Sequence, residues 1–189
     1  MPLWIIKLPL IIVWWAVLLS VADGLSGASL ITWIIIWIGV AAVVTKNSKV
    51  LLVKEASGRY SGHWGLPKGY VDEGELPRDA ALRELREECS VDGVVTGIYA
   101  VRENLTDIGP AIFIAYSVDL SPDQIPKAAS EIAEVKFVSQ EDFGSLKWVS
   151  EAMKSIASNA LSQIPFSTTD YSKQRGFPYL LHQNKEAVL

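Results

Sequence analysis

Cysteine is almost missing from this chain. Its 189 residues hold one, Cys89, so no intrachain disulfide can form, and the usage fits a reducing compartment. Basic clusters are missing too. Seventeen Lys and Arg stand against 21 Asp and Glu, for a formal charge of −4 with no run of like charge. That excludes the phosphate-tracking surface a nucleic-acid partner requires, and no DNA partner is expected. No internal repeat occurs. Charge of either sign is scarce in the first 45 residues, where only Lys7 and Asp23 are ionised, while five of the seven tryptophans fall there (Trp4, Trp14, Trp15, Trp33 and Trp37). From Lys46 onward the composition is that of a soluble domain. The chain therefore divides into an apolar region over 1–38, a folded domain over 39–162 and a polar tail over 163–189.

The apolar region holds two runs. Residues 3–21 are about long enough to span a bilayer core of roughly 30 Å, with Lys7 near one end to reach the headgroups. A small, polar turn follows, and then a second run over 30–44. Three readings compete: a membrane anchor of one span or a helical hairpin, a cleaved signal peptide with Ser20-Val21-Ala22 at the cleavage site, or extra buried core. The anchor is favoured because the apolar start and the second run are unlike a short cleavable signal. Lys46, Lys49 and Lys54 would keep the downstream domain cytoplasmic. The expectation is a membrane-associated protein with that domain in the cytoplasm, export after cleavage being the alternative. The sequon Asn104-Leu105-Thr106 would matter only if the domain were luminal.

Downstream, the pattern predicts strands over 39–45 and 50–56 about a polar turn, a glycine-rich loop, and a helix over Pro77–Cys89. Further strands follow over 93–101, 111–118 and 134–138. Phe143, Leu146, Val149, Met153 and Ile156 share one helical stripe, which predicts a helix from Gln140 to Leu161. Strands in mixed order around two helices imply an α/β domain with the sheet between the helices.

The chemistry is concentrated on the first helix. Leu82, Leu85 and Cys89 form its apolar stripe, which makes Cys89 a packed small hydrophobe rather than a nucleophile. Glu84, Glu87 and Glu88 lie at i, i+3 and i+4 on another face. A solvated face with Arg–Glu pairs is the plain explanation. Against it, the like-charge pair Glu84–Glu88 costs a few tenths of a kcal/mol unless a cation offsets it. The preceding L-P-K-G-Y-V-D-E-G-E also brings more carboxylates and close-approach glycines to the same end. Three such acids can hold a hard divalent cation, which takes oxygen ligands, screens phosphate charge and activates water.

The stretch G-Y-V-D-E-G-E-L-P-R-D-A-A-L-R-E-L-R-E-E-C-S-V, residues 69–91, closely resembles the Nudix box: Gly, five residues, Glu, seven residues, Arg-Glu, an aliphatic, any residue, Glu-Glu, any residue, Gly, an aliphatic. Gly69, Glu75, Arg83, Glu84, Leu85, Glu87, Glu88 and Val91 match. Ser90 departs, standing where the family has a glycine that ends the helix with φ > 0. The resemblance covers about residues 39–160 and implies a Nudix-type α/β/α sandwich with a mixed sheet. It implies hydrolysis of the pyrophosphate bond in a nucleoside diphosphate linked to another group, with Mg²⁺ or Mn²⁺. Glu84, Glu87, Glu88 and the backbone carbonyl of Lys68 would be metal ligands. Glu84 would also be the general base, with Glu75 and Arg83 orienting the others. Glu131 is the nearest match to the later acid of some subfamilies.

Lys68, in L-P-K-G, is similar to the lysine of members acting on dinucleoside polyphosphates, mRNA caps, diphosphoinositols and oxidised nucleoside triphosphates. Lys68 and Gly69, with Arg59 steering, are the candidate substrate contacts. Tyr60 and Trp64 are candidates for stacking on a base, against a purely structural role for Trp64. The proline that marks ADP-ribose hydrolases about 15 residues after the box is missing, since Pro110 comes too late. A nucleotide substrate therefore leads a lipid-linked diphosphate, which only the anchor suggests. The alternative function is a catalytically weak, membrane-tethered domain that binds a nucleotide. Ser90 and the poor N-cap Leu76 favour it; the complete acid set opposes it.

Overall fold

Val40–Val44 and Val50–Val53 are apolar without alternation, the pattern of strands buried on both faces. The computed structural model describes residues 36–107, 109–129, 131–170, 173 and 180–183. In it these stretches fall on β1 (Trp37–Val43), with Val44 just beyond, and β3 (Lys49–Glu55); the short β2 (Thr45–Lys46) lies between them. Asn47 and Ser48, both at positive φ (51° and 57°), make the two-residue turn that sets Lys46 opposite Lys49.

The glycine-rich loop carries a 3₁₀ turn at Gly58–Tyr60 and two short strands, β4 (Trp64–Gly65) and β5 (Lys68–Tyr70). Helix α1 spans Pro77–Cys89, as the pattern predicts. Then come β6 (Gly93–Thr106), β7 (Gly109–Leu120) and β8 (Ile132–Ser139), each longer than expected. Helix α2 (Glu151–Ala160), β9 (Phe166–Asp170) and β10 (Leu180–Gln183) complete the order.

One sheet runs β10-β9-β6-β7-β1-β5 and is mixed, since β1 pairs parallel with β7 and antiparallel with β5. A smaller sheet centres on β3, paired with β2, β4 and β8. Alternation along the strands sends side chains to two cores. Val40, Ala42, Leu51 and Val53 pack with Ala81, Leu85 and Cys89 of α1. Ala41, Val43, Val50 and Leu52 pack with Met153, Ile156 and Ala157 of α2. The layers are those of an α/β/α sandwich.

Four expectations need correction. The helix expected from Gln140 to Leu161 is split: Gln140–Ser145 is a 3₁₀ turn, and α2 starts only at Glu151. Between them Val149 donates its N–H to Trp64 O, and the Ser150 side chain accepts from Met153 N, so this linker serves as strand partner and cap rather than helix. The region after 162 is not an irregular tail throughout, because β9 and β10 extend the sheet beside β6. On α1, Ala80 and Ala81 are buried with Leu85 and Cys89, whereas Leu82 is half-buried. Finally, Trp37 and Ile38 belong to the sheet, so the domain begins before residue 39. The anchor expected over 1–38 otherwise lies outside the described residues. Among the described residues no helix is long and apolar enough to cross a membrane.

Candidate active site

Pro77 opens α1 at a position where its missing N–H costs nothing, and Leu76 before it offers no side-chain cap. At the other end Ser90 is left-handed (φ 56°, ψ 36°), the conformation glycine adopts most readily, and its N–H donates to Arg86 O. Between these ends α1 packs its apolar side on the sheet and turns its acids toward β5. That strand is the edge of the large sheet, so the peptide groups on its free side face α1. There Lys68 N donates to Glu88 Oε2 at 3.2 Å, and Tyr70 O accepts from Arg83 Nη2 at 2.9 Å. The N–H and C=O of one strand residue point the same way, which also turns the Lys68 carbonyl to this free edge.

Arg83 ties the acids together. Its Nη2 lies 2.8 Å from Glu75 Oε1, and its Nη1 lies 2.7 Å from Glu84 Oε1 and 3.3 Å from Glu87 Oε2. Glu75 also accepts from Asp72 N at 2.8 Å. The hydrogen bonds from Arg83 hold the Glu75 carboxyl below the usual range, and the same acids raise the guanidinium. Glu84 is pressed against the strand: a Cβ on Gly69 would stand 2.0 Å from Glu84 Oε1. Glycine there is a condition for the carboxylate's position.

Burial pushes Glu84 up from the ordinary carboxylate range despite Arg83. It pushes Glu88 up to about 8, against the Lys68 ammonium and amide, while Glu55 and Glu84 add repulsion. Cys89, packed inside, is raised by burial, as a core thiol would be.

The expected ligands share one helix face, yet among the described residues no three acidic, histidine or cysteine side chains converge on one point. The donor set nevertheless suits a hard cation. It is all oxygen, its acids repel one another in a way a cation would offset (Glu87 against Glu84, Glu84 against Glu88), and an edge-strand carbonyl lies alongside. Glu131 stands apart from the helix acids: it is exposed, and its carbonyl accepts from Ala56 N. Arg59 is exposed as well and stacks on Tyr60 at 5.5 Å. Trp64 is 7% exposed and belongs to the α2 core, so it is a structural tryptophan and not a stacking platform.

Two features escape a sequence reading. Glu55, at the end of β3, forms a short ion pair with the Lys68 ammonium. A cavity of about 620 Å³ also opens beside Lys68 and Gly69, walled by Trp37, Tyr70, Arg102 and Phe113. Four strands supply those walls, and only their register brings them together.

Comparison with known proteins bears on the family and the fold. A family model described as NUDIX domain matches residues 36–159. The chain is similar to "Nudix hydrolase 6" of Arabidopsis thaliana, 34% identical over 118 residues, covering 59% of this chain and 42% of that protein. It is 28% identical over 103 residues to "ADP-ribose pyrophosphatase" of Methanocaldococcus jannaschii, covering 53% of this chain and 60% of the other. It thus spans less than two thirds of either relative. Among solved structures it is similar in fold to the NUDIX domain of Shewanella oneidensis NrtR complexed with ADP ribose, with a TM-score of 0.57 and 22% identity, over 74% of this chain and 95% of that one.

Proposed function

The chain belongs to the NUDIX family, and from that premise we propose that it is a pyrophosphohydrolase cleaving a nucleoside diphosphate linked to another group. The observation that carries the reading is the Arg83-centred acid array beside an edge strand whose Gly69 leaves room for Glu84. A Mg²⁺ or Mn²⁺ ion held by Glu84, Glu87, Glu88 and the Lys68 carbonyl would screen phosphate charge and make a bound water easier to deprotonate. Glu84 is the general base: Arg83 engages its Oε1, and burial raises its proton affinity toward the working pH. Glu75 positions Arg83, and Arg83 positions Glu84. Lys68 offers a point charge to a phosphate, and Glu55 keeps that ammonium in place until substrate competes for it. The relatives named for nucleotide diphosphates support a nucleotide substrate over a lipid-linked one.

The test is turnover by the full chain with Mg²⁺ on dinucleoside polyphosphates, nucleotide sugars, nucleoside triphosphates and lipid diphosphates, beside Glu87→Gln. Divalent-dependent release of a nucleoside phosphate, reduced by orders of magnitude in the variant, is the expected result. Tight binding without turnover of any substrate would instead make the domain a nucleotide-binding module.

The apolar stretch before residue 36 supports a membrane tether, and Lys46, Lys49 and Lys54 after it support a cytoplasmic side for the domain. Fractionation in alkaline carbonate tests it: a tethered chain stays with the pellet, and recovery in the supernatant would sink the tether.

A further inference from the structure

Beyond the acid array lies the cavity that opens from Lys68 and Gly69 across the α2 side of the large sheet. Its floor is small because the register puts glycine and alanine in the middle. One row across the strands reads Tyr70–Gly39–Phe113–Arg102, and the next reads Trp37–Ala111–Asn104. Trp37 and Tyr70 meet edge to face at 5.7 Å and form an aromatic wall. Across the sheet Arg102 and Asn104 form a polar wall, Asn104 two strand spacings (roughly 10 Å) from Trp37 and Arg102 three (roughly 14 Å) from Tyr70. Gly39 is tied to this shape, since a Cβ there would meet the Phe113 ring at 2.8 Å.

The polar wall carries no negative charge. Arg102 is exposed, and its guanidinium carbon lies over the Phe113 ring, 5.1 Å from the centroid. It has no carboxylate partner among the described residues, and no acid lines the cavity. Asn104 carries one donor group and one acceptor and suits either purine, so the choice of base falls to Arg102.

We propose that this trough is a nucleobase site selective for guanine, with the base packed between the Trp37–Tyr70 corner, where it can stack on one ring and meet the other at its edge, and Arg102, which its acceptor edge faces. Arginine donates bidentately to guanine O6 and N7, whereas adenine sets a donor amino group where O6 would be. The proposal rests on the nucleotide reading above, because the trough ends at the lysine and glycine that would receive the phosphates.

The experiment measures binding of GMP and AMP to the full chain by calorimetry in the presence of chelator, so that neither metal nor turnover enters. GMP is expected to bind roughly ten- to a hundredfold more tightly than AMP. Arg102→Ala should erase that ratio. Arg102→Lys should not restore it, because an ammonium cannot make the paired contact. Asn104→Ala should weaken both nucleotides alike. Equal affinities, or no binding of either, would overturn the proposal. So would a GMP preference that survives Arg102→Ala, or one that Arg102→Lys restores, since the arginine would then be a mere charge for phosphate. If the panel above shows no hydrolysis while GMP still binds selectively, the catalytic reading fails and the base site stands.

Discussion

The Cα of Gly69 and the carboxylate of Glu84 are in such close contact that any side chain at 69 would occupy the acid's place, with a Cβ 2.0 Å from Oε1. The atom it would strike is the far end of a flexible side chain, so Glu84 can move away at little cost to the fold. Gly69→Ala should therefore separate function from stability. We expect kcat to fall about a hundredfold or more, as removal of one well-placed catalytic group does, with an almost unchanged melting temperature by circular dichroism. A collapse of stability at unchanged kcat would contradict this.

Arg83 and Glu75 give a pH signature. The Arg83 hydrogen bonds hold the Glu75 carboxyl below its ordinary range. An acid whose folded pKa is depressed stabilises the fold above its unfolded pKa, and that contribution disappears as pH falls through the folded value. The stability difference between the native chain and Glu75→Gln should accordingly be present near neutral pH and vanish in acid. Denaturant melts across that range check it, and a difference that grows in acid would be the wrong sign.

Glu88 behaves oppositely. Burial pushes it up to about 8, so the cation-free fold holds a proton that the unfolded chain releases near 4.5. Stability without cation should then decline as pH rises from about 4.5 to 8. Glu88→Gln should flatten this decline. Millimolar Mg²⁺ near pH 8 should raise the melting temperature of the native chain and leave that of the variant nearly unmoved. Thermal melts in chelator and in Mg²⁺ read both effects.

Ser90 sits in the left-handed region at φ 56° and ψ 36°. Ser90→Gly should stabilise the domain by roughly 0.5–1 kcal/mol and leave kcat unchanged, because glycine adopts this conformation more readily and the backbone bond of residue 90 to Arg86 O is kept. Urea melts and a rate assay decide it.

Local features were the legible ones. Proline at the first turn, the apolar stripe and the box spacing locate α1 and its acids, and Ser90 takes the φ > 0 that its place in the motif demands. Three kinds of feature were hidden. Apolar residues at helical spacing from Phe143 to Ile156 read as one helix, yet Val149 bonds to Trp64 O and so breaks it, a contact 85 residues away in the chain. β9 (Phe-Ser-Thr-Thr-Asp) is held by backbone pairing between β10 and β6, and its sequence offers no apolar alternation to read. The trough was hidden for a third reason. Trp37, Tyr70, Arg102 and Phe113 come from four strands, and only sheet register makes them neighbours.

The most direct test of the account is the steady-state rate of nucleoside phosphate release from a pyrophosphate-linked nucleotide in Mg²⁺, compared between the native chain and Glu84→Gln. Glu84 has an oxygen held by Arg83 and a raised proton affinity, so the amide should cut kcat about a hundredfold or more, with nucleotide affinity nearly intact. A variant that turns over at the native rate would contradict the account at its centre.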